Sequence, residues 1–465
     1  MSETNGMIKK RSSLSPIVFF TVVLSTLFLL LTNPGSLHAQ SMPDMRPTDS
    51  LTLALYNNQS WDELIDAGTQ AIHQDLDYYY LRMRVGIAYY EKQNFRLAIA
   101  HFEKALKFNP VSQATIEYLY FSYLQSGRKY DAQKIALKLS DERKQKIGID
   151  KNQFLDFAYF ETGSGAASKG DLKNWMNKPK AEHDTIYSKV YFSDDLYYLH
   201  GGVNLRIHPN ISLYQGYSKV TVSLQQRIDY QNVPWPEYKS RVFQHEYYGN
   251  MVLNIPSGIK VTSAWHLLWV DYDDRKDKYN DTLYILEADT LNVKNNDCTF
   301  LLSVRKDFNL FAIQADASYG NFGRRNLKQI GLLFYTYPFG NLNVFTETGL
   351  IKIWDQRDRD DWIFHQLVGV KLLPRLWFEA SGTFGNLKDY NEGFAFTVYN
   401  TADAINYKLE GNLIFNISKH LELSLRGRYM QQEANYLYFR DVDTPETINK
   451  DYGYFSMIGG IKWKL

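Results

Sequence analysis

Charged side chains recur at alternate positions through the carboxy-terminal part of the chain, opposite rows of apolar residues. In one such run Lys408 and Glu410 alternate with Tyr407 and Leu409. These groups could act electrostatically, either by pairing across strands to fill a closed interior or by lining a path for a polar polymer. The sequence leaves both possibilities open. The candidate lumen-lining residues are Lys260, Asp316, Glu379, Lys408, Glu410, Glu422, Arg426 and Arg428.

No catalytic, cofactor-binding or metal-binding motif stands out in the sequence. The ten His residues are scattered without the H-E-x-x-H pattern, and no G-x-S-x-G marks a nucleophile. Cys298 is the single cysteine, which excludes an internal disulfide and a cysteine-rich zinc site. The glycine-rich segment 163–170 lacks the order of a phosphate-binding loop and is expected to form a flexible outer loop. We therefore predict no cofactor and no enzymatic activity; an enzyme acting on lipid or glycan is the less favoured alternative.

From about residue 150 onward, apolar and polar residues alternate with a period of two. The clearest runs, 405–417, 421–429 and 455–465, reach about ten residues or more, the length that a tilted membrane strand needs. An Arg or Lys facing lipid at the midplane would cost roughly 2–4 kcal/mol, so the charged face is assigned to the lumen. Aromatic residues such as Trp269 and Trp463 suit the lipid–water interface. A soluble β-sandwich also alternates but needs no such aromatic girdle.

The connections between these runs alternate between short and long. Short turns are expected at 208–210, 256–258, 307–309, 338–341, 374–375 and 418–420. Longer polar links are expected at 273–297, 355–361, 386–403 and 441–451. Short turns on one side and long loops on the other are typical of an outer-membrane barrel. With a first strand at 154–160, residues 150–465 are predicted to form an antiparallel transmembrane β-barrel of about 14 strands, within a range of 12–16.

A repeat of 34 residues precedes the predicted barrel. Trp61 and Phe95 stand at this interval, as do Leu64 and Ala98. A period of this length indicates stacked helix pairs, in which small residues let two helices approach and large ones fill the space between them. The middle unit resembles a tetratricopeptide repeat (TPR), which implies a TPR α-solenoid over 46–145. The residues that carry this resemblance are Val85, Gly86, Tyr89, Ala98, Phe102, Ala105 and Pro110.

The amino terminus has the features of a secretory signal peptide. Lys9, Lys10 and Arg11 precede an apolar run at 17–31, which is shorter than the roughly 20 residues of a membrane-spanning helix. We assign the signal peptide to 1–39, with an uncleaved anchor helix as the alternative. The formal net charge of +1 argues against nucleic acid as a partner. The expected partners are outer-membrane lipid and a periplasmic protein.

The order of signal peptide, helical repeats and carboxy-terminal barrel resembles the outer-membrane components of bacterial exopolysaccharide export and the YaiO-type barrel proteins. This resemblance implies a place in the bacterial outer membrane, with the repeats in the periplasm, and a polysaccharide as one candidate cargo. We predict an α + β multidomain protein that serves as an outer-membrane channel or export component. Its TPR domain would recruit partners or guide cargo to the pore. A non-conducting scaffold for an envelope complex is the alternative.

Overall fold

The structure, a computed structural model, describes most of the repeat region and of the barrel region. The predicted signal peptide at 1–39 lies outside the described residues. Within the described part of the chain, no helix combines the length and the apolar character needed to cross a membrane. The described residues are 45–149, 154–171, 187–230, 233–234, 238–255, 258–280, 285–323, 325–439 and 445–465.

The amino-terminal region folds into helices that pack against their neighbours in sequence. The helices are α1 (Met45–Asn57), α2 (Trp61–His73), α3 (Tyr79–Glu91), α4 (Phe95–Phe108), α5 (Gln113–Gln125), α6 (Lys129–Ala136) and α7 (Asp141–Lys146). Gly86 on α3 lies against the ring of Phe102 on α4, and a Cβ at this position would come within 2.6 Å of that ring. Glycine is therefore what allows these two helices to approach each other.

The residues that suggested the repeat occupy positions that close helix packing requires. Val85, Ala98 and Ala105 are buried in the interior of the helical region. Pro110 stands just beyond the last residue of α4, where its lack of an N–H group ends the helix. Tyr89 stacks on the imidazole of His101, with ring centroids 5.4 Å apart. The assignment of this region to the TPR family stays a prediction.

Burial makes the stability of the helical region sensitive to acid. Burial, which disfavours the charged form, and to a smaller extent the nearby Arg82 lower the pKa of the His101 imidazole from 6.5 to about 4. Between these two values the unfolded chain binds a proton that the folded chain does not, so the free energy of unfolding decreases as the pH falls from 6.5 to 4. We expect a loss of about 2 kcal/mol over this range, allowing for partial exposure.

This loss is measured by thermal unfolding of the full chain at several pH values, monitored by the helical circular-dichroism signal. The variant His101→Gln should flatten the pH dependence, whereas His73→Gln, at an exposed position on α2, should leave it unchanged. Equal slopes for the wild type and His101→Gln would contradict the prediction.

Fourteen long strands of the described chain form a closed antiparallel ring, which confirms the predicted number. In chain order the strands are β1 (Leu155–Ala167), β2 (Tyr187–His208), β3 (Ile211–Tyr230), β4 (Val233–Pro234), β5 (Tyr238–Ile255), β6 (Ile259–Asn280), β7 (Ile285–Asp307), β8 (Phe311–Phe322), β9 (Arg325–Thr336), β10 (Val344–Trp354), β11 (Asp360–Leu373), β12 (Leu376–Phe384), β13 (Asn391–Glu392), β14 (Thr397–Val398), β15 (Ala404–Asn416), β16 (Leu421–Phe439) and β17 (Pro445–Lys464). The very short β4, β13 and β14 are accessory strands. Every other strand pairs with its neighbour in the ring, and β17 pairs with β1 to close it. Closure leaves no strand edge unpaired at the depth of the lipid.

The six short turns lie between strands where the sequence predicts them, but several expected outer links are strand. Most of the predicted link 273–297 belongs to the β6–β7 hairpin, and part of 441–451 belongs to β17. The glycine-rich segment predicted as a flexible loop contributes residues 163–167 to β1. The physical reason is that β6 and β7 have 22 and 23 residues, well beyond the roughly ten that cross a bilayer. Polar residues are tolerated on both faces of strands that extend beyond the lipid.

The outer surface of the ring is apolar at the level where the strands would meet lipid. Large apolar side chains are exposed on neighbouring strands, and aromatic residues accompany them. Examples are Leu199, Val203, Ile207, Phe311, Ile313, Leu332, Phe334, Leu350, Phe364, Leu413, Leu425 and Ile461. In a protein dissolved in water such a belt would be a severe aggregation liability, whereas against acyl chains it is the surface of lowest free energy.

Candidate functional site: the occluded lumen

The segment 385–403, which joins β12 to β15, folds into the barrel. Its two short strands β13 and β14 form a hairpin, and the tip of this hairpin has positive φ angles at Gly393, Phe394 and Ala395. The sequence predicted this segment as an outer polar link, and that interpretation is wrong. We call residues 385–403 the inserted loop.

The barrel wall supplies hydrogen-bond partners to the main chain of the inserted loop. Tyr248 Oη donates to the carbonyl of Phe394 at 3.2 Å, and His266 Nδ1 donates to the carbonyl of Ala395 at 2.8 Å. Gln329 Nε2 donates to the carbonyl of Asn391 at 2.9 Å. Because these partners come from β5, β6 and β9, the loop is held from different sides of the ring. A buried main chain needs such partners, since an unpaired buried carbonyl is costly.

Apolar packing accompanies these hydrogen bonds. Leu387, Tyr390 and Tyr399 of the inserted loop belong to a buried cluster with residues of the wall such as Ile353 and Ile405. Phe394, Ala395 and Phe396 pack in a second cluster. The wall residues of that cluster are Phe157, Tyr214, Tyr248, Ala264 and Leu301. The loop therefore occludes the lumen with a packed core of its own.

A buried ion pair anchors the inserted loop to β15. Lys408 Nζ lies 2.6 and 2.8 Å from the two carboxylate oxygens of Glu392, and Tyr399 Oη donates to the same carboxylate at 2.7 Å. The side chain of Lys408 is 2% exposed. We call the pair Glu392–Lys408 the anchor pair. Loss of one partner would leave the other charge buried and uncompensated, at a cost of about 3–5 kcal/mol.

Four of the eight predicted lumen residues meet in one network around this pair. Glu410 accepts from Arg428 Nε at 2.9 Å, and these two residues lie directly opposite each other on β15 and β16. Arg426 lies 3.7 Å from Glu410 and 3.8 Å from Glu161 of β1. Lys408, at 3.9 Å from Glu410, connects the anchor pair to this network. Opposite charges on β1, β15 and β16 thus compensate each other.

The other four predicted residues lie outside this network. Lys260 is opposite Arg305 in the β6–β7 pairing, and Asp316 accepts from Gln314 Nε2 at 3.0 Å. Glu379 accepts from Asn412 Nδ2 at 3.0 Å. Glu422 accepts from Lys462 at 2.9 Å, at the end of the barrel that carries the short turns. Asp316 lines a small cavity to which Glu392 of the anchor pair also contributes, whereas Lys260, Glu379 and Glu422 lie apart from one another and from the anchor pair.

Sequence reasoning missed the residues of the inserted loop and Glu161. A signal was present, because the supposed polar link 386–403 contains Tyr390, Phe394, Phe396 and Tyr399. A solvated outer loop has no physical need for four aromatic side chains in so short a stretch. Such a density of aromatic residues in a predicted link indicates insertion into the lumen.

The helical region is docked on the end of the barrel that carries the short turns. The side chain of Arg96 is 3% exposed, and its guanidinium lies 3.5 Å from the centroid of the Tyr337 ring and 3.4 Å from Asp307. Lys129 lies 2.7 Å from Asp156 at the start of β1. The contact thus includes turns and strand ends from distant parts of the ring.

Two pairs of an aliphatic hydroxyl and an imidazole occur in the described lumen, but neither is accessible. His200 Nδ1 lies 2.9 Å from Ser218 Oγ, and His365 Nδ1 lies 2.9 Å from Thr383 Oγ1. His200 and Thr383 are each 0% exposed. In this closed arrangement neither hydroxyl group is exposed to a lipid or glycan. The described residues also contain no cluster of side chains suited to a metal ion.

A closed antiparallel ring of 14 strands with an apolar belt and an occluded lumen defines the class: an outer-membrane type β-barrel. No protein-family model matches the chain, and no curated protein sequence does either.

Solved structures give distant similarities. The Pseudomonas putida toluene transporter TodX matches 67% of this chain and 90% of its own length, with 7% identity and a TM-score of 0.42. A Pseudomonas aeruginosa FadL homologue matches 66% of this chain and 90% of its own length, with 8% identity and a TM-score of 0.42. A point mutant of MamA matches 20% of this chain and 55% of its own length, with 24% identity and a TM-score of 0.20. Similarities at this level of identity and TM-score do not indicate a function.

Proposed function

We propose that the protein is a gated outer-membrane channel or export component, closed in this state by the inserted loop. The observation that carries the proposal is that β12 and β15, which flank the loop, pair directly with each other from Leu376 opposite Phe415 to Phe384 opposite Tyr407. The ring is therefore closed without any contribution from residues 385–403. The loop can leave the lumen while the wall stays intact.

The helical region is proposed to lie in the periplasm, at the inner mouth of the barrel. Short turns face the periplasm in outer-membrane barrels, and Arg96 contacts such turns at Asp307 and Phe308. From this position the helices would recruit a periplasmic partner and control access to the lumen. A polysaccharide cargo stays a prediction from the resemblance in domain order.

A non-conducting anchor is the second candidate, and one observation favours it. The inserted loop occludes the lumen, while helices α4 and α6 contact the inner rim through Arg96 and Lys129. A barrel obstructed in this way could serve only to hold the helical region at the membrane. The two candidates differ in whether release of the loop produces a conducting path.

The anchor pair allows a test by charge removal. Lys408→Met leaves Glu392 buried without its cation, which should weaken the closed state by about 3–5 kcal/mol. We expect frequent conducting openings of this variant in planar bilayers, against rare openings of the wild type. The double variant Lys408→Met/Glu392→Gln removes both charges and should return most of the channels to the closed state, since a neutral pair of similar volume costs little.

Lys462→Met is the matched control, because Lys462 pairs with Glu422 away from the inserted loop. It should conduct as the wild type does. Folding of every variant is verified by the retention of β-sheet circular dichroism. If folded Lys408→Met stays silent, the anchor function is favoured over the gated channel.

A further inference from the structure

The polarity of the barrel interior changes along the long strands β2, β3, β5 and β6. At the level of the short-turn half, the paired inward residues are His200, Ser218, Glu246 and Leu268. Two steps further out, one row reads Tyr198, Val220, Gln244, Val270. The next row reads Leu196, Val222, Val242, Tyr272. The interior therefore becomes apolar toward the outer end.

The outward face of the same strands becomes more polar toward the outer end. On β3, Thr221, Ser223 and Gln225 alternate with the inward Val222 and Leu224. Polar residues outside and apolar residues inside are the reverse of the pattern that a lipid-embedded strand needs. The neighbouring strands still present Tyr197 and Phe243 outward opposite Thr221, so it is the part of β3 beyond Thr221 that extends past the lipid, where the outer face meets water. Contact with lipid does not explain why the side chains inside such an extension are apolar.

A cavity of about 580 Å³ lies between this apolar wall and the inserted loop. Val222, Leu224 and Val242 line it from the barrel, and Phe396 and Val398 line it from the loop. Small-molecule sites commonly have volumes of about 300–1,000 Å³ and mostly apolar linings. The cavity has the size and the surface of a ligand site.

The cavity lining carries charges of both signs, namely the acidic Glu161, Glu246, Asp297 and Asp389 and the basic Arg325, Lys388, Arg426 and Arg428. Arg426 and Arg428 reach its floor, where they pair with Glu161 and Glu410. A charged ligand would lose its hydration and meet charges of both signs, whereas an apolar ligand would displace water from Val and Leu side chains. At the other end, Gly323 and Arg325 of the outer β8–β9 turn line the cavity. Access is therefore from the outer side.

We propose that this cavity binds a small, uncharged and largely apolar molecule that enters from the outer face of the membrane. This site goes beyond the proposed function, because binding requires no conduction. A silent barrel could bind the ligand, and a conducting barrel could fail to bind it, so the two proposals fail separately.

The test uses the full chain in phospholipid nanodiscs with N-phenyl-1-naphthylamine as an uncharged apolar probe. Probe fluorescence is titrated, and the signal of empty nanodiscs is subtracted. Val222→Asn places an amide in the apolar wall, and Leu224→Trp fills part of the cavity. We expect each to weaken binding about ten-fold or more. The matched controls Ser223→Asn and Gln225→Trp change the adjacent outward residues and should bind as the wild type does.

Three outcomes would overturn the proposal. The first is the same fluorescence with and without protein in the nanodisc. The second is unchanged affinity in folded Val222→Asn and folded Leu224→Trp. The third is tighter binding of the anionic analogue 8-anilino-1-naphthalenesulfonate than of the uncharged probe, because it would show that a free positive charge governs the site.

Discussion

Deletion of residues 387–402, with Asn386 joined to Asp403 through a short Gly-Ser linker, should convert a closed barrel into a conducting pore. The flanking strands β12 and β15 pair without the loop, so the ring is expected to fold. Barrels of about 8 strands are filled by side chains and those of 16–18 strands leave an aqueous channel, so a ring of 14 strands without its plug should conduct about ten-fold more than the wild type or better. Single-channel recording in planar bilayers measures the change.

A cross-linked variant gives the matched control for the deletion. Asn391 Nδ2 donates to Ser318 Oγ at 3.4 Å, so the side chains at these two positions are neighbours, and a reducible bifunctional maleimide can join cysteines placed there and tether the loop to β8. In the background Cys298→Ser, the cross-linked Asn391→Cys/Ser318→Cys protein should stay closed, and reduction of the cross-link should restore the rare openings of the wild type. If the deletion variant is silent even after removal of residues 45–149, the lumen is not a conducting path and the anchor function stands.

The second large effect is expected at the contact between the helical region and the barrel. Arg96→Ala removes a buried guanidinium that lies over the Tyr337 ring, near Asp307 and the carbonyl of Phe308. The loss should weaken docking by about 2–4 kcal/mol. The barrel itself should be unaffected, because Asp307 keeps Arg305 at 3.1 Å. Hydrogen exchange in α4 and in the turn 338–341 should rise at least ten-fold in the variant.

Lys104→Ala provides the comparison for this experiment, since Lys104 is an exposed residue of the same helix α4. Its exchange should match that of the wild type. Unchanged exchange in Arg96→Ala would mean that the main-chain contact from Arg96 N to Gly340 O, together with Lys129–Asp156, suffices to hold the helices in place.

Local patterns were sufficient for much of the architecture. Alternation along 405–417 and 421–429 predicted strands that the structure confirms, because in a barrel the two faces of each strand meet different solvents. The short turns predicted the strand number, because each of them joins two neighbouring strands. Alternation was less informative for the predicted link 273–297, where charged residues lie on strands that extend past the lipid.

The sequence by itself determined which residues of the clearest strands face outward at the lipid, which face inward, and where the short turns lie, since these depend on neighbours within a few positions. Only the tertiary structure decided that the segment 385–403 occupies the lumen and that Glu392 meets Lys408 there. Whether a loop enters a barrel depends on the summed contacts with strands that are far away in the chain. The period of two does not record that sum, and the aromatic residues of the loop indicate that it is buried without indicating which strands it meets.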